Sequence, residues 1–399
     1  MRIHTKAVAL IAAGATALGM SACGATEGSD GSAAGLDSGA KEAVDTAYEG
    51  SFGTPPDESP DPAPDQNIWF ITSSAQITDF SQDGYLVDAA EQMGWDLTLF
   101  DGQFNTDTMV SGLRQAVADQ ADGVIVFTID CALVKAGFED VVDAGIPIVA
   151  FESVDCDQSV AKDGTIEDTG DQGLFDAVVT YDDPVEDGKR LTYLEFLQAA
   201  YARNQALAMI EGTGGSASVI KIKQTDYQST LATDRGFEDA LAEHCSDCEV
   251  VETVEITGAD FGPPLQDKVA QAIARHPEAN AVYGIYDAVV LNAAPAVMAS
   301  GRNDDIFVMG GEGSSALVEL IAADRGVDAG SGYPVRWEAW ASLDAMNRLL
   351  AGEVPNGAGF PSGIGVQAFD GDRNLPEKGG RFDGPVDFEA AYLAAWGLE

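Results

Sequence analysis

At 399 residues and 45% hydrophobic content, the chain can bury a large core, enough for two lobes. Its 21 Lys and Arg stand against 66 Asp and Glu, a formal charge of −45 that repels phosphate backbones and argues against a nucleic-acid partner. Only three histidines occur, and His244 and His276 both fall at predicted helix ends, so general-base chemistry by histidine is close to excluded.

In chain order, the first feature is a short basic stretch (Arg2, His4, Lys6), the apolar run AVALIAAGATALGM, and then Ser21, Ala22 and Cys23. This is the layout of a secretory signal with small residues at its cut site, over residues 1–22. The run is shorter than the ~20 residues a bilayer needs. Met20-Ser21-Ala22-Cys23 resembles a bacterial lipobox, with Met20 where Leu is usual. That resemblance implies that Cys23 is acylated and holds the protein to the outer face of the cell membrane. Residues 23–66 are rich in Gly, Ser, Ala, Asp and Pro and read as a disordered tether.

From Asn67 strands and helices alternate. NIWFIT (67–72), WDLTLF (95–100), DGVIVFTI (122–129) and IPIVAF (146–151) are apolar runs separated by helical stretches at 83–94, 108–120 and 133–145. Continuous apolar strands belong to a sheet covered by helices on both faces, and this order belongs to a parallel, doubly wound sheet. A polar stretch, 153–175, interrupts the rhythm. It restarts with AVVTY (177–181), a helix from Gly188 towards Met209, and the strands ASVIKI (217–222), EVVETVEI (249–256), ANAVYGIY (279–286) and IFVMGG (306–311). VDAGSG (327–332) follows, then a helix from Trp337 to Ala351 and a last strand near GVQAF (365–369). The fold class is therefore α/β with two parallel-sheet lobes, a ligand being expected at the strand C-termini between them.

Besides Cys23 there are four cysteines, an even number in an exported chain. Cys131 and Cys156 each follow an apolar strand and are the first choice for one disulfide. Cys245 and Cys248 then close locally, as a bridge or as plain thiols. A zinc site at His244, Cys245 and Cys248 lacks a nearby fourth ligand. No metal or cofactor is expected, and no serine-hydrolase elbow, phosphate loop or HExxH pair occurs.

GWDLTLFDGQ, GLRQAVADQADGVIVFTID and FEDVVDAGIPIVAFES, with Asp183, Gly188, Arg235-Gly236-Phe237, Tyr286-Asp287 and VMGGEG further on, resemble type I periplasmic solute-binding proteins of ABC importers, the ribose/galactose-binding group. The resemblance spans about residues 67–370. It implies three chain crossings at a hinge, with 67–155 and 334–360 in the N-terminal lobe and 176–333 and 361–399 in the C-terminal lobe. It also implies a non-enzymatic receptor that hands a small polar solute, a monosaccharide or polyol, to an ABC permease. The site residues implied are Ser74 and Phe80 after the first strand, Asp130 after the third and Glu152 after the fourth. From the second lobe and the last crossing come Tyr286, Asp287, Glu312, Arg336 and Trp337. Glu152 and Glu312 stand out physically, since a carboxylate ending an apolar strand is costly unless something pairs with it. Asp130 suits helix capping as well as binding, Asp287 suits capping in preference, and the core is the commoner place for lone aromatics such as Phe80 and Trp337. The family's clamping arginine falls on Thr233, which argues against ribose itself. A nucleoside or small cation is the rival ligand, a membrane kinase the rival partner, and an exported glycosidase with Glu152 and Glu312 as its acids the rival activity.

Overall fold

The computed structural model describes residues 36, 38–75, 77–78, 80, 85–186 and 188–398. The signal segment and Cys23 lie outside these residues. The first described helix, α1 (Ser38–Glu49), repeats Ala40, Ala43, Val44, Ala47 and Tyr48 along one buried stripe. The first lobe then forms around β1 (Asn67–Thr72), α2 (Leu86–Met93), β2 (Asp96–Asp101), α3 (Thr106–Ala118), β3 (Gly123–Phe127), α4 (Cys131–Asp143) and β4 (Ile148–Phe151). A small hairpin, β5 (Gln158–Val160) with β6 (Ile166–Asp168), fills the polar interval, and β7 (Ala177–Val178) completes a parallel sheet of order β2-β1-β3-β4-β7. β3 and β4 are buried along their whole length, which is why they read as unbroken apolar runs.

A short ladder, β8 (Tyr181–Asp182) with β9 (Arg190–Leu191), leads into α5 (Tyr193–Phe196), a π-helical turn (Leu197–Tyr201) and α6 (Ala202–Gly212). This continuous segment starts in the core of the first lobe, with Phe196 and Leu197, and ends in that of the second, with Ala206 to Ile210. The second sheet follows from β10 (Ser218–Gln224), α7 (Gln228–His244), β11 (Glu249–Ile256), α8 (Pro263–Arg275), β12 (Ala281–Gly284), α9 (Asp287–Ser300), β13 (Phe307–Met309), α10 (Ser315–Ala322) and β14 (Ala329–Gly332). Next come α11 (Val335–Leu350), β15 (Gln367–Asp370) and α12 (Phe388–Ala395). The second sheet runs β11-β10-β12-β13-β14-β15, parallel except for β15.

Three expectations about domain limits are corrected. Residues 38–66 are not a disordered tether. α1 packs on α6 and β15 of the second lobe, Ser51 N–H and Gly53 N–H donate to the carbonyls of Val366 and Gly363, and Ser59 Oγ donates to Asp344 on α11. The apolar stripe of α1 supplies the burial that the surrounding composition hides. Ala177–Val178 belongs to the first sheet, because it pairs with β4. The tail is divided: β15 joins the second sheet, whereas α12 buries Phe388, Tyr392 and Trp396 against Trp337 and Trp340 of α11 in the first lobe. The three crossings implied by the resemblance are present, and the terminal segments add two more, at 50–58 and 383–388.

Both disulfides form. Cys131 and Cys156 have Cα atoms 4.9 Å apart, and Cys245 and Cys248 5.3 Å apart. Metal binding at Cys245 and Cys248 is thereby excluded. The one group of potential ligands that converges among the described residues, Cys131, Asp155 and Cys156, has both its cysteines in the bridge. Among the described residues no helix is long and apolar enough to cross a membrane.

Candidate functional site

A cleft of about 1380 Å³ lies between the lobes. Its first-lobe wall is made by strand ends. Thr128 and Glu152, one residue beyond β3 and β4, hold φ values of +55° and +48°, and Phe104 holds +52°. Left-handed backbone at non-glycine residues costs roughly 1–2 kcal/mol, and here three such residues border one cavity. Ser73 and Thr128 share a 2.6 Å hydroxyl hydrogen bond at the same edge.

Glu152 is 8% exposed, and burial is the main reason its carboxyl is held well above the ordinary carboxylate range. Glu312, on the turn after β13, is raised for the same reason, reinforced by the negative charges of Asp287 and Glu152. Tyr333 Oη donates to Glu312 Oε1 at 3.3 Å. The Glu312 turn is held by Asp287, whose buried carboxylate accepts from the backbone N–H of Gly313 (3.3 Å) and Ser314 (2.6 Å). Asp287 is thus a positioning residue for Glu312 that also borders the cleft.

Asp130 occupies the N-cap of α4, yet its side chain does not cap that helix. It accepts instead from Gln228 Nε2 of the second lobe at 3.2 Å, and burial pushes its carboxyl up to about 6. Gln228 Oε1 accepts from Val160 N–H, so this amide is fixed at both ends across the lobe boundary. Tyr286 Oη donates to Gln224 Oε1 at 2.8 Å. Six tyrosines (Tyr85, Tyr193, Tyr201, Tyr227, Tyr286 and Tyr333) line the remaining surface. The arrangement offers carboxyl, amide and hydroxyl groups to a ligand beside flat aromatic faces.

The match to known families decides what this cleft belongs to. The family model described as "Periplasmic binding protein domain" matches residues 68–167 and 159–353, well over half of the chain. The chain belongs to the periplasmic binding protein family. It is a solute-binding receptor, not an enzyme, of a family that works outside the cytoplasm. No curated protein matches it in sequence. Among solved structures, a solute-binding protein from Bacillus halodurans C-125 with bound myo-inositol is 17% identical, with a TM-score of 0.60 over 77% of this chain and 96% of that one. One from Actinobacillus succinogenes 130z with bound D-allose is 16% identical, with a TM-score of 0.61 over 77% and 98%. A sugar-binding protein of a sugar ABC transporter from Bacillus halodurans is 18% identical, with a TM-score of 0.62 over 78% and 100%. At these identities the likeness is one of fold.

The receptor's cleft gathers Asp130, Glu152, Tyr286, Asp287, Glu312 and Arg336, all expected there. Arg336 is already engaged, with Asp383 at 2.8 Å and with Glu389, and its guanidinium lies 5.9 Å from the centre of the Tyr85 ring. Three expected ligand residues are corrected. Ser74 is fully buried behind Ser73, which lines the cleft in its place. Phe80 is 3% exposed and packs among Phe70, Tyr85, Phe127 and Phe151. Trp337 is wholly buried, stacked between Phe52 and Phe388, because both terminal segments fold over the face that a chain without them leaves open.

Sequence reasoning missed one wall of the receptor site and one buried acid. The first is a third wall, in which Glu377, Gly379, Gly380, Arg381 and Asp383 close one side of the cleft. The second is Glu338, wholly buried on α11, with Tyr181 Oη donating to its Oε1 at 2.5 Å. Its signal was available: an acid between Trp337 and Trp340 on a helix that is apolar around it.

Proposed function

We propose that this receptor captures a small uncharged polyhydroxyl solute, a monosaccharide or a polyol, for an ABC permease, and that it is anchored through lipid on Cys23. The observation that carries the ligand class is the cleft's lining. Glu152 is a buried acid and Glu312 and Asp130 are half-buried acids, all shifted towards their protonated forms, so they suit hydroxyl groups that donate and accept hydrogen bonds. The inositol and allose held by the structural neighbours are ligands of this kind. Anchoring rests on the basic, apolar and small-residue segments that end at Cys23.

A thermal-shift screen of the mature chain against neutral sugars, polyols, nucleosides and amines tests the ligand class. Stabilisation by a sugar or polyol is expected; stabilisation by a nucleoside or an amine alone refutes it. Mass spectrometry of the membrane-bound protein tests the anchor, the expected result being a lipid-modified N-terminus at Cys23. Unchanged membrane association in Cys23→Ser refutes it.

A further inference from the structure

Glu152 and Glu338 form a pair of buried acids that no base neutralises among the described residues. They are 8% and 0% exposed and close enough that each acts on the other's carboxyl. Among the described residues Glu152 Oε1 and Glu338 Oε2 have no hydrogen-bond donor, while Glu338 Oε1 is occupied by Tyr181 Oη. Two buried neighbouring carboxylates without donors cannot both stay ionised at little cost, since neither carries a hydrogen and their charges repel in a low dielectric. The groups facing the pair make it no easier. They are Tyr181 on β8, Tyr193 on α5, Tyr333 after β14 and Glu312 after β13, with Asp130 beyond Tyr193. All are acids or phenols.

We propose that Glu152 and Glu338 share a single proton, which makes Glu152 a hydrogen-bond donor as well as an acceptor at the floor of the cleft. Glu338 is then a positioning residue. Held by Tyr181, it fixes the direction in which the shared proton lies and so the face that Glu152 turns to the ligand. Which group the ligand meets depends on the cleft being the ligand site; the proton itself does not. As a pair the two acids titrate together, so the protein's response to pH belongs to both.

The sign follows from counting protons. Burial pushes Glu338 from 4.5 up to about 7 in the folded chain. Between those values the folded state binds more protons than the unfolded state, so stability falls as pH rises through the window, and with Glu152 raised well above its ordinary value it goes on falling beyond it. Glu312, Asp130 and Asp328, raised by burial, add a slope of the same sign, and only the difference between variants isolates the pair.

The test needs no ligand, so its failure is separate from any failure of the sugar reading. Denaturant unfolding of the wild type, Glu338→Gln and Glu152→Gln is followed from pH 5 to pH 8. A glutamine amide donates to the remaining carboxylate without a proton from solvent, and two variants guard against one failing to fold. The wild type should lose on the order of a hundredfold more in its folding equilibrium constant than either variant. Difference infrared spectra should show a protonated-carboxyl carbonyl band in the wild type at pH 6 that is lost from both variants. Parallel stability curves in the three proteins, or an infrared band unaffected by either substitution, would overturn the proposal.

Discussion

Phe382 holds the third wall of the cleft in place, and its truncation should loosen that wall measurably. The ring is 4% exposed and stacks on Phe369 with centroids 5.5 Å apart, while Phe52 lies 6.1 Å away. Its space is kept open by two glycines. A Cβ built on Gly332 would stand 2.4 Å from the ring, and one on Gly313, whose φ is +91°, 2.5 Å from Phe382 Cβ. Only the backbone bond from Phe382 N–H to the Gly313 carbonyl, 2.8 Å, would survive Phe382→Ala. Deleting a buried phenylalanine costs about 3–5 kcal/mol. For a chain of this size that corresponds to a fall of roughly 4–6 °C in melting temperature. Because Arg381 and Asp383 flank the ring and line the cleft, affinity for a sugar that stabilises the wild type should drop about tenfold as well. Circular-dichroism melting and calorimetric titration measure the two effects. A melting temperature within about 2 °C of wild type, with affinity unchanged, would show that the ring anchors nothing.

Other substitutions report on separate parts of the molecule. Val44→Asp places a charge where the side chain is 1% exposed, so stability should fall by about 3 kcal/mol or more, whereas a tether would not register the change. Glu152→Ala and Glu312→Ala should each weaken sugar binding about tenfold or more, by the loss of hydrogen bonds worth ~1.5–3 kcal/mol; calorimetry finding both unchanged would remove them from the site. Replacing Cys131 and Cys156 together by alanine opens a loop closed over a separation of 25 residues and should cost about 3 kcal/mol in denaturant unfolding. Opening Cys245–Cys248, separated by 3 residues, should cost less.

The parts of the fold that were legible are those where burial on both faces writes itself into the chain. GVIVF and IVAF are buried at every position, and the acids that follow such strands, Asp130 and Glu152, announce themselves as polar groups where apolar ones are expected. α1 failed for the opposite reason. Ala40, Ala43, Val44, Ala47 and Tyr48 keep exact helical spacing, but they are mostly small and lie within a Gly-, Ser- and Asp-rich stretch that reads as unstructured. Missing that segment, together with Phe52 behind it, also left open whether Trp337 meets a ligand or the core. Gln228 and Arg381 carry no local mark at all. Each reaches the cleft because elements distant in sequence bring it there, which is information held in the topology alone.

The divided make-up of the first lobe governs when it can exist. Its interior contains Phe70 and Phe151, but also Trp337 and Trp340 from α11 and Phe388, Tyr392 and Trp396 from α12. Those last aromatics enter more than two hundred residues after the strands they help to cover. Until they arrive, the lobe is an unfinished sheet with an uncovered apolar face. Chain that has not yet delivered its C-terminal helix therefore stays open, a state suited to passage through a narrow export channel and exposed to aggregation if passage stalls. A fragment ending before residue 388 should show the same incompleteness permanently, since no piece of the chain that stops short of α12 contains a whole first lobe.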